Sequence, residues 1–181
     1  MQGTVQRKTK HLVLRRYTMD DVDILYKTFG KNKAMYRYSG WNPFQTLSMT
    51  NESIQKYIAC YNDPTFYGWA IEKEGELIGT IGAYDFDAKE CTIEVGMSIA
   101  EHCWGHGYAT EALSVVIEYL MNEENMYAIQ AWCAADNIGS KTVMEKCGMK
   151  LQSVDAQAIV VGSQTYDRLN YVYRNQKKEG E

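Results

Sequence analysis

The apolar positions of this 181-residue chain switch several times between a period of two and a period near 3.6. "HLVLRRY" (11–17) alternates as a strand. "TMDDVDILYKTFG" (18–30) places Val22, Leu25, Tyr26 and Phe29 at helical spacing, behind a Thr18 cap and acidic first-turn residues. An aromatic-rich loop, "NKAMYRYSGWNPFQT" (32–46), leads to a second predicted helix, "MTNESIQKYIACYN" (49–62). Three strand patterns follow, "FYGWAIEK" (66–73), "ELIGTIGAYDF" (76–86) and "CTIEVGMSIAE" (91–101), separated by the turns "EGE" and "DAKE". "YATEALSVVIEYLMNEE" (108–124) has the clearest helical stripe, with Ala109, Ala112, Leu113, Val116 and Leu120 on one face. The strand "YAIQAWCAA" (127–135) precedes the helix "NIGSKTVMEKCG" (137–148), capped by Asn137 and stopped by Gly148. "MKLQSVDAQAIVVG" (149–162) and "QTYDRLNYVYRN" (164–175) read as a closing hairpin.

The predicted order is therefore β-α-α-β-β-β-α-β-α-β-β, an α+β fold with one mixed, mostly antiparallel sheet of about seven strands and helices on both faces. No repeat, linker or low-complexity segment divides the chain, so a single domain over 1–181 is expected. Its ordered core runs over about 11–174; the first ten residues and the tail "RNQKKEGE" are polar enough to fray. Hydrophobic residues at 45% and charged ones at 23% suit a globular protein. A net charge of -4 creates no basic field for nucleic acid. The five cysteines are odd in number and include no Cys-x-x-Cys pair, which suits reduced thiols and a cytoplasmic location. No apolar segment of signal-peptide length follows the basic start and no run approaches the roughly 20 apolar residues that span a bilayer, so a soluble, intracellular protein is expected.

The chemistry concentrates at "WGHGYATEAL" (104–113), where Gly105 and Gly107 immediately precede the strongest helix. Two such glycines allow a sharp turn with uncovered N–H groups, and the helix start adds its own unpaired N–H groups and the positive end of its dipole. This is a site for an anion, most often a phosphate. A P-loop needs a Lys-Ser/Thr pair that is missing here, and a dinucleotide fingerprint meets Thr110 where its third glycine belongs. The segment from Cys91 to Met149 instead resembles the GNAT superfamily of N-acetyltransferases, in particular its RimJ/RimL-type branch, which acetylates protein N-termini. "WGHGYA" is similar to that family's pyrophosphate loop, with Trp104 standing where the wider superfamily has Gln or Arg. "NIGSKTVMEKCGM" is similar to its Asn-x-x-Ser…Glu-Lys-x-Gly-Phe signature, and "NKAMYRYSGWNP" to the branch's segment between the first two helices.

The resemblance implies acetyl-coenzyme A as cofactor and a primary amine as acceptor: a protein N-terminus first, a polyamine or amino compound second. An idle acyl-coenzyme A binding module is the non-enzymatic alternative. Trp104, Gly105, His106, Gly107, Tyr108, Ala109 and Thr110 would hold the pyrophosphate, with Asn137 and Ser140 as further cofactor contacts. Met97, Ser98 and Ile99 would pair with the pantetheine amides along a strand that bulges and splays from "WCAA". An N–H near Met97 would face the thioester oxygen. Glu94 is the expected general base and a substrate contact; its alternative reading is a salt-bridged strand carboxylate. Many superfamily members place a tyrosine acid where this chain has Met144, which leaves Ser140 as the expected proton donor or a plain first-turn serine. Tyr36, Tyr38 and Trp41 are expected to wall the substrate site, or to form the loop's own small core. His102, Cys103 and His106 crowd an irregular turn without a fourth partner at a recognised spacing, so no metal is expected. The oligomeric state is left open, a homodimer included.

Overall fold

A computed structural model describes residues 1–174. Arg7–Lys8 (β1) and Val13–Arg15 (β2) begin the chain. Asp21–Leu25 (α1) continues into a π turn over Tyr26–Gly30, and a 3-10 turn over Lys33–Tyr36 leads to Leu47–Cys60 (α2). Tyr67–Lys73 (β3), Glu76–Asp87 (β4) and Thr92–Ile99 (β5) form the meander. Tyr108–Asn122 (α3), Ala128–Ala134 (β6), Ile138–Lys146 (α4), Lys150–Val161 (β7) and Gln164–Arg174 (β8) complete the fold. All eight strands lie in one sheet of order β1-β2-β3-β4-β5-β6-β8-β7, antiparallel throughout except between β5 and β6.

The expected element order holds, with one strand more than anticipated. That strand is β1, inside the segment expected to fray. Its neighbours explain the difference. Thr4 Oγ1 donates to Phe66 O at 2.9 Å and receives Gly68 N at 2.9 Å, while Trp69 Nε1 donates to Val5 O at 2.8 Å. The Glu124 side chain is fully buried and receives Gln2 N at 2.7 Å, Tyr67 OH at 3.0 Å and Tyr119 OH at 2.5 Å. Each partner is far away in sequence, so polar composition alone gave no sign of the attachment. The tail expected to fray lies, from residue 175 on, outside the described residues.

The helices cover both faces of the sheet. α3 and α4 bury Leu113, Val116, Leu120 and Met144 against Ile93, Val95, Ile129, Cys133 and Leu169. On the opposite face Leu25, Phe29, Phe44 and Ile54 from α1, α2 and their connection pack on Ala70, Leu77 and Ala100. Strand alternation then assigns side chains: odd-numbered residues of β5, β6 and β8 enter the α3–α4 layer, and even-numbered ones face the α1–α2 side. α1 starts differently from its sequence reading. Thr18 gives no side-chain cap; its N–H donates to Asp21 Oδ2 at 2.8 Å, and Asp21 is gripped by Arg15 at 2.8 and 2.9 Å.

β5 and β6 pair only over Thr92↔Ala128, Ile93↔Ile129 and Glu94↔Gln130. Beyond Glu94 they diverge, as the splay predicts. The bulge lies elsewhere than expected, however. β5 keeps unbroken register with β4 from Glu94 to Ile99, and the shift falls on β4 between Tyr84 and Asp87, where Asp85 has φ 54°. A bulge bends its strand and increases local twist, and this one sits beside the point where β5 leaves β6.

Candidate functional site

The turn between β5 and α3 combines a fixed backbone shape with clear space above it. Gly105 and Gly107 have φ 79° and 85°, the left-handed region that a side chain disfavours. A Cβ on either would meet no protein atom within 4 Å, so the conformation, not packing, requires glycine. Gly107 is the N-cap of α3 and supplies no side-chain cap; the first helical bond is Glu111 N to Gly107 O at 3.0 Å. The N–H groups of Tyr108, Ala109 and Thr110 therefore stand at the helix start without intrahelical acceptors. These features suit the diphosphate of an acyl carrier.

The neighbouring side chains of the turn disperse. Trp104 is half exposed and donates Nε1 to Ile99 O at 2.6 Å. His106 stacks on Tyr108 with ring centroids 5.7 Å apart, His102 faces Glu76 at 3.4 Å, and Cys103 is buried in the core. The turn thus gathers no ligand set from these three.

The open edge of β5 runs straight into this turn. Ala100 N donates to Ile78 O at 2.8 Å, which marks Ala100, and by alternation Ser98 and Gly96, as the residues hydrogen-bonded to β4. Met97 and Ile99 accordingly turn their N–H and C=O groups toward the gap left by β6, and Val95, whose N–H completes the last pairing with Gln130, turns its C=O there. Of the expected contacts, Met97 and Ile99 present backbone groups there, with the Ile99 carbonyl already taken by Trp104. Ser98 directs its backbone toward β4 and its side chain toward the α1–α2 face. Val95 joins the edge, a residue that sequence reasoning passed over.

Glu94 occupies the last paired position before the gap. Its Oε1 accepts Trp132 Nε1 at 2.8 Å, and its Oε2 lies 3.7 Å from Arg168 Nη2. The Arg168 guanidinium sits 4.7 Å above the Trp132 ring. Tyr84 stands directly across from Glu94 on β4, and a Cβ on Gly96 would come within 2.7 Å of its hydroxyl, so Gly96 leaves room for that group. Burial, reinforced by the Glu94 carboxylate, pushes the Tyr84 hydroxyl well above its ordinary pKa. It keeps its proton at neutral pH. Trp132, Arg168 and Tyr84 were not singled out in the sequence. Tyr84 was within reach, since counting back through the "DAKE" turn brings it near Glu94; Trp132 and Arg168 needed the β6–β8 register.

Across the gap, Asn137 caps α4 by accepting Ser140 N on Oδ1 at 3.1 Å. The half-buried Ser140 hydroxyl makes no hydrogen bond to the described residues. Met144 is packed in the core. α3 and α4 touch through Cys147 Sγ, which donates to Thr110 O at 3.5 Å. On the α1–α2 side, Tyr36 donates its hydroxyl to Gly30 O, which ties it to its own loop. Tyr38 packs edge-on against Tyr166 of β8 at 5.4 Å, two residues along the same face from Arg168. Trp41 is 68% exposed, the most solvent-facing of the three.

The family described as Acetyltransferase (GNAT) domain matches residues 11–150. The uncharacterized N-acetyltransferase YoaA of Bacillus subtilis (strain 168) is 29% identical over 162 residues, covering 88% of this chain and 91% of that protein. The ribosomal-protein-serine acetyltransferase of Escherichia coli (strain K12) is 26% identical over 168 residues, covering 92% and 93%. Among solved structures, the ribosomal L7/L12 alpha-N-protein acetyltransferase RimL in complex with coenzyme A superposes with a TM-score of 0.84 at 19% identity, over 92% of this chain and 95% of that one.

Proposed function

The chain belongs to the GNAT acetyltransferases, and we propose that this acetyl-coenzyme A-dependent N-acetyltransferase acts on the α-amine of a polypeptide N-terminus. One observation carries the reading. The free edge of β5 leads from Glu94, through the outward-facing Met97 N–H, to an uncapped helix start built on left-handed glycines. A ligand laid along that edge has its diphosphate at the helix start and its far end beside a carboxylate.

When bound, acetyl-coenzyme A supplies an acyl thioester open to attack by an amine. The N–H groups from Gly105 to Thr110 hold the diphosphate, and the small residues Gly107 and Ala109 keep the approach clear. The Val95 and Met97 carbonyls offer strand-like hydrogen bonds to the amide N–H groups of the pantetheine arm. The Met97 N–H stabilises negative charge on the carbonyl oxygen during attack. Glu94, oriented by Trp132 and Arg168, takes the proton of the incoming amine, directly or through water. The Ser140 hydroxyl, spared by the protein's own hydrogen bonds, is placed to protonate the departing sulfur. An α-amine with a pKa of about 7.7–8.0 is partly neutral at pH 7, whereas a lysine near 10.4 is almost wholly charged. A single carboxylate base therefore suffices for the first and poorly serves the second. The relatives named for ribosomal-protein acetylation point the same way.

A mass-spectrometric assay tests the reading with acetyl-coenzyme A and three acceptors: a peptide with a free N-terminus, a lysine peptide blocked at its N-terminus, and spermidine. Acetylation of the first alone, or by far the fastest, is expected. Faster acetylation of spermidine or of the blocked peptide would overturn it.

A further inference from the structure

Arg168 lies beside Glu94 with its donors unspent. A guanidinium carries five N–H donors, and among the described residues none of those on Arg168 makes a hydrogen bond; the Glu94 contact, at 3.7 Å, is an ion pair without one. Its Nε is buried and has no acceptor among the described residues. Arg15, by contrast, places its donors on Asp21, Glu72 and Arg16 O at 2.6–3.1 Å. A buried donor without a partner is destabilising, and Arg168 is nevertheless held in one place. Trp132 lies beneath it, and Trp132 in turn donates to Glu94. The strand hosting it is fixed by pairing to β6 on one side and β7 on the other. The side chain belongs to the same sheet face as Glu94, and Tyr38 from the α1–α2 loop reaches that face at Tyr166.

Glu94 and Arg168 thus form a short pair of opposite charges along one wall, spaced at 3.7 Å. In an α-amino acid or an α-amino acyl group, the amine nitrogen and the carbonyl oxygen lie about 3 Å apart by standard bond lengths. A polyamine has no oxygen at that place.

Resting on the N-acetyltransferase reading above, we propose that Arg168 is a specificity-determining residue that donates to the carbonyl or carboxylate oxygen adjacent to the accepted amine, while Glu94 receives the amine. The acceptor class is then an α-amino acyl chain end or a free α-amino acid. The shared chemistry is an oxygen acceptor two carbons from the nitrogen.

The test compares L-alaninamide, L-alanine and isopropylamine, three amines of similar bulk around the nitrogen that carry a neutral carbonyl, a carboxylate or no oxygen. kcat/KM for each is measured with acetyl-coenzyme A for wild type, Arg168→Met and Arg168→Lys. Each kcat/KM is expressed per concentration of neutral amine, since the three differ in basicity, and ratios are used so that a general loss of rate cancels. The wild type should favour one of the oxygen-bearing acceptors over isopropylamine, and preference for alaninamide or for alanine identifies the peptide or the free amino acid as source. Arg168→Met should reduce that preference about 10-fold or more, as expected for one charge-assisted hydrogen bond. Arg168→Lys, which keeps the charge but not the planar fork, should fall between. Circular dichroism and melting curves check the fold, and the lysine variant carries the test if the methionine variant is damaged. A wild type that prefers isopropylamine would overturn the N-terminal reading and this assignment together. A wild-type preference that survives both substitutions, with all rates falling in step, would overturn the assignment alone and leave Arg168 as a support for Glu94.

Discussion

Gly107 gives the sharpest separation between stability and binding. Its φ of 85° is matched by Gly75 at 86° in the β3–β4 turn, and a Cβ at either position meets nothing within 4 Å. Substituting alanine at each should therefore impose the same cost, the strain of an L-residue in the left-handed region, about 1–2 kcal/mol. For a chain of this length each kcal/mol shifts the melting temperature by about 2–4 °C, so both variants should melt about 2–8 °C below wild type and close to one another. Binding should part them. Gly75→Ala should hold coenzyme A as wild type does, whereas Gly107→Glu, at no added clash, sets a carboxylate where the diphosphate lies. Two unit charges 4 Å apart at an effective dielectric of 20 repel by about 4 kcal/mol. Allowing for rotation of the side chain away from the ligand, affinity should fall at least about 100-fold. Calorimetric titration with coenzyme A and melting curves on the three variants provide both readings. Wild-type affinity in a folded Gly107→Glu protein would refute the assignment of this turn to the diphosphate. A Gly107→Ala variant far less stable than Gly75→Ala would refute the argument that only backbone strain is at stake.

Other substitutions probe the remaining parts. Glu94→Gln should depress kcat/KM most at acidic to neutral pH and recover much of the loss at alkaline pH, where the amine is already neutral; parallel pH profiles for the two proteins would make Glu94 structural. Ser140→Ala should lower kcat while leaving the KM for acetyl-coenzyme A nearly intact, because a proton donor acts mainly in the transition state; a proportional loss of binding would make it a capping residue. Burial would raise the pKa of Glu111, but hydrogen bonds from Thr9 and His11 outweigh it and hold the carboxylate below 4.5. A depressed folded pKa adds stability above the ordinary value that is lost as pH falls through the folded one, so wild type and Glu111→Gln, apart at pH 7 in chemical denaturation, should converge below about pH 4.5. Glu124→Ala leaves Tyr67 OH, Tyr119 OH and Gln2 N without their acceptor; at about 3 kcal/mol for such a loss, melting should fall about 6–12 °C.

The local order of this protein is written in its residue spacing. The stripe Ala112, Leu113, Val116 and Leu120 fixed α3 because burial of one face every 3.6 residues needs no knowledge of what covers it. Asn137 declared a helix start because a cap is a contact between near neighbours, and it does accept Ser140 N. The glycine turn was legible for the same reason: left-handed φ at Gly105 and Gly107 is a local demand. Residues tied to distant partners were not legible. The first ten residues look too polar to order, yet Thr4, Gln2 and Val5 are fastened by Phe66, Glu124 and Trp69. Glu94 could be singled out as a strand carboxylate, but nothing near it in sequence gives Trp132 or Arg168 as its partners. Those contacts depend on a three-residue parallel pairing with β6 and on the β6–β8 register. A hydrophobic period specifies which face a strand buries, whereas register against another strand is a global property of the sheet. Sequence alone thus determined every element but β1, the glycine turn and the family. Tertiary structure decided which edge of β5 stays open, since that is set by where its neighbour departs, and which side chains from three separate strands meet at Glu94.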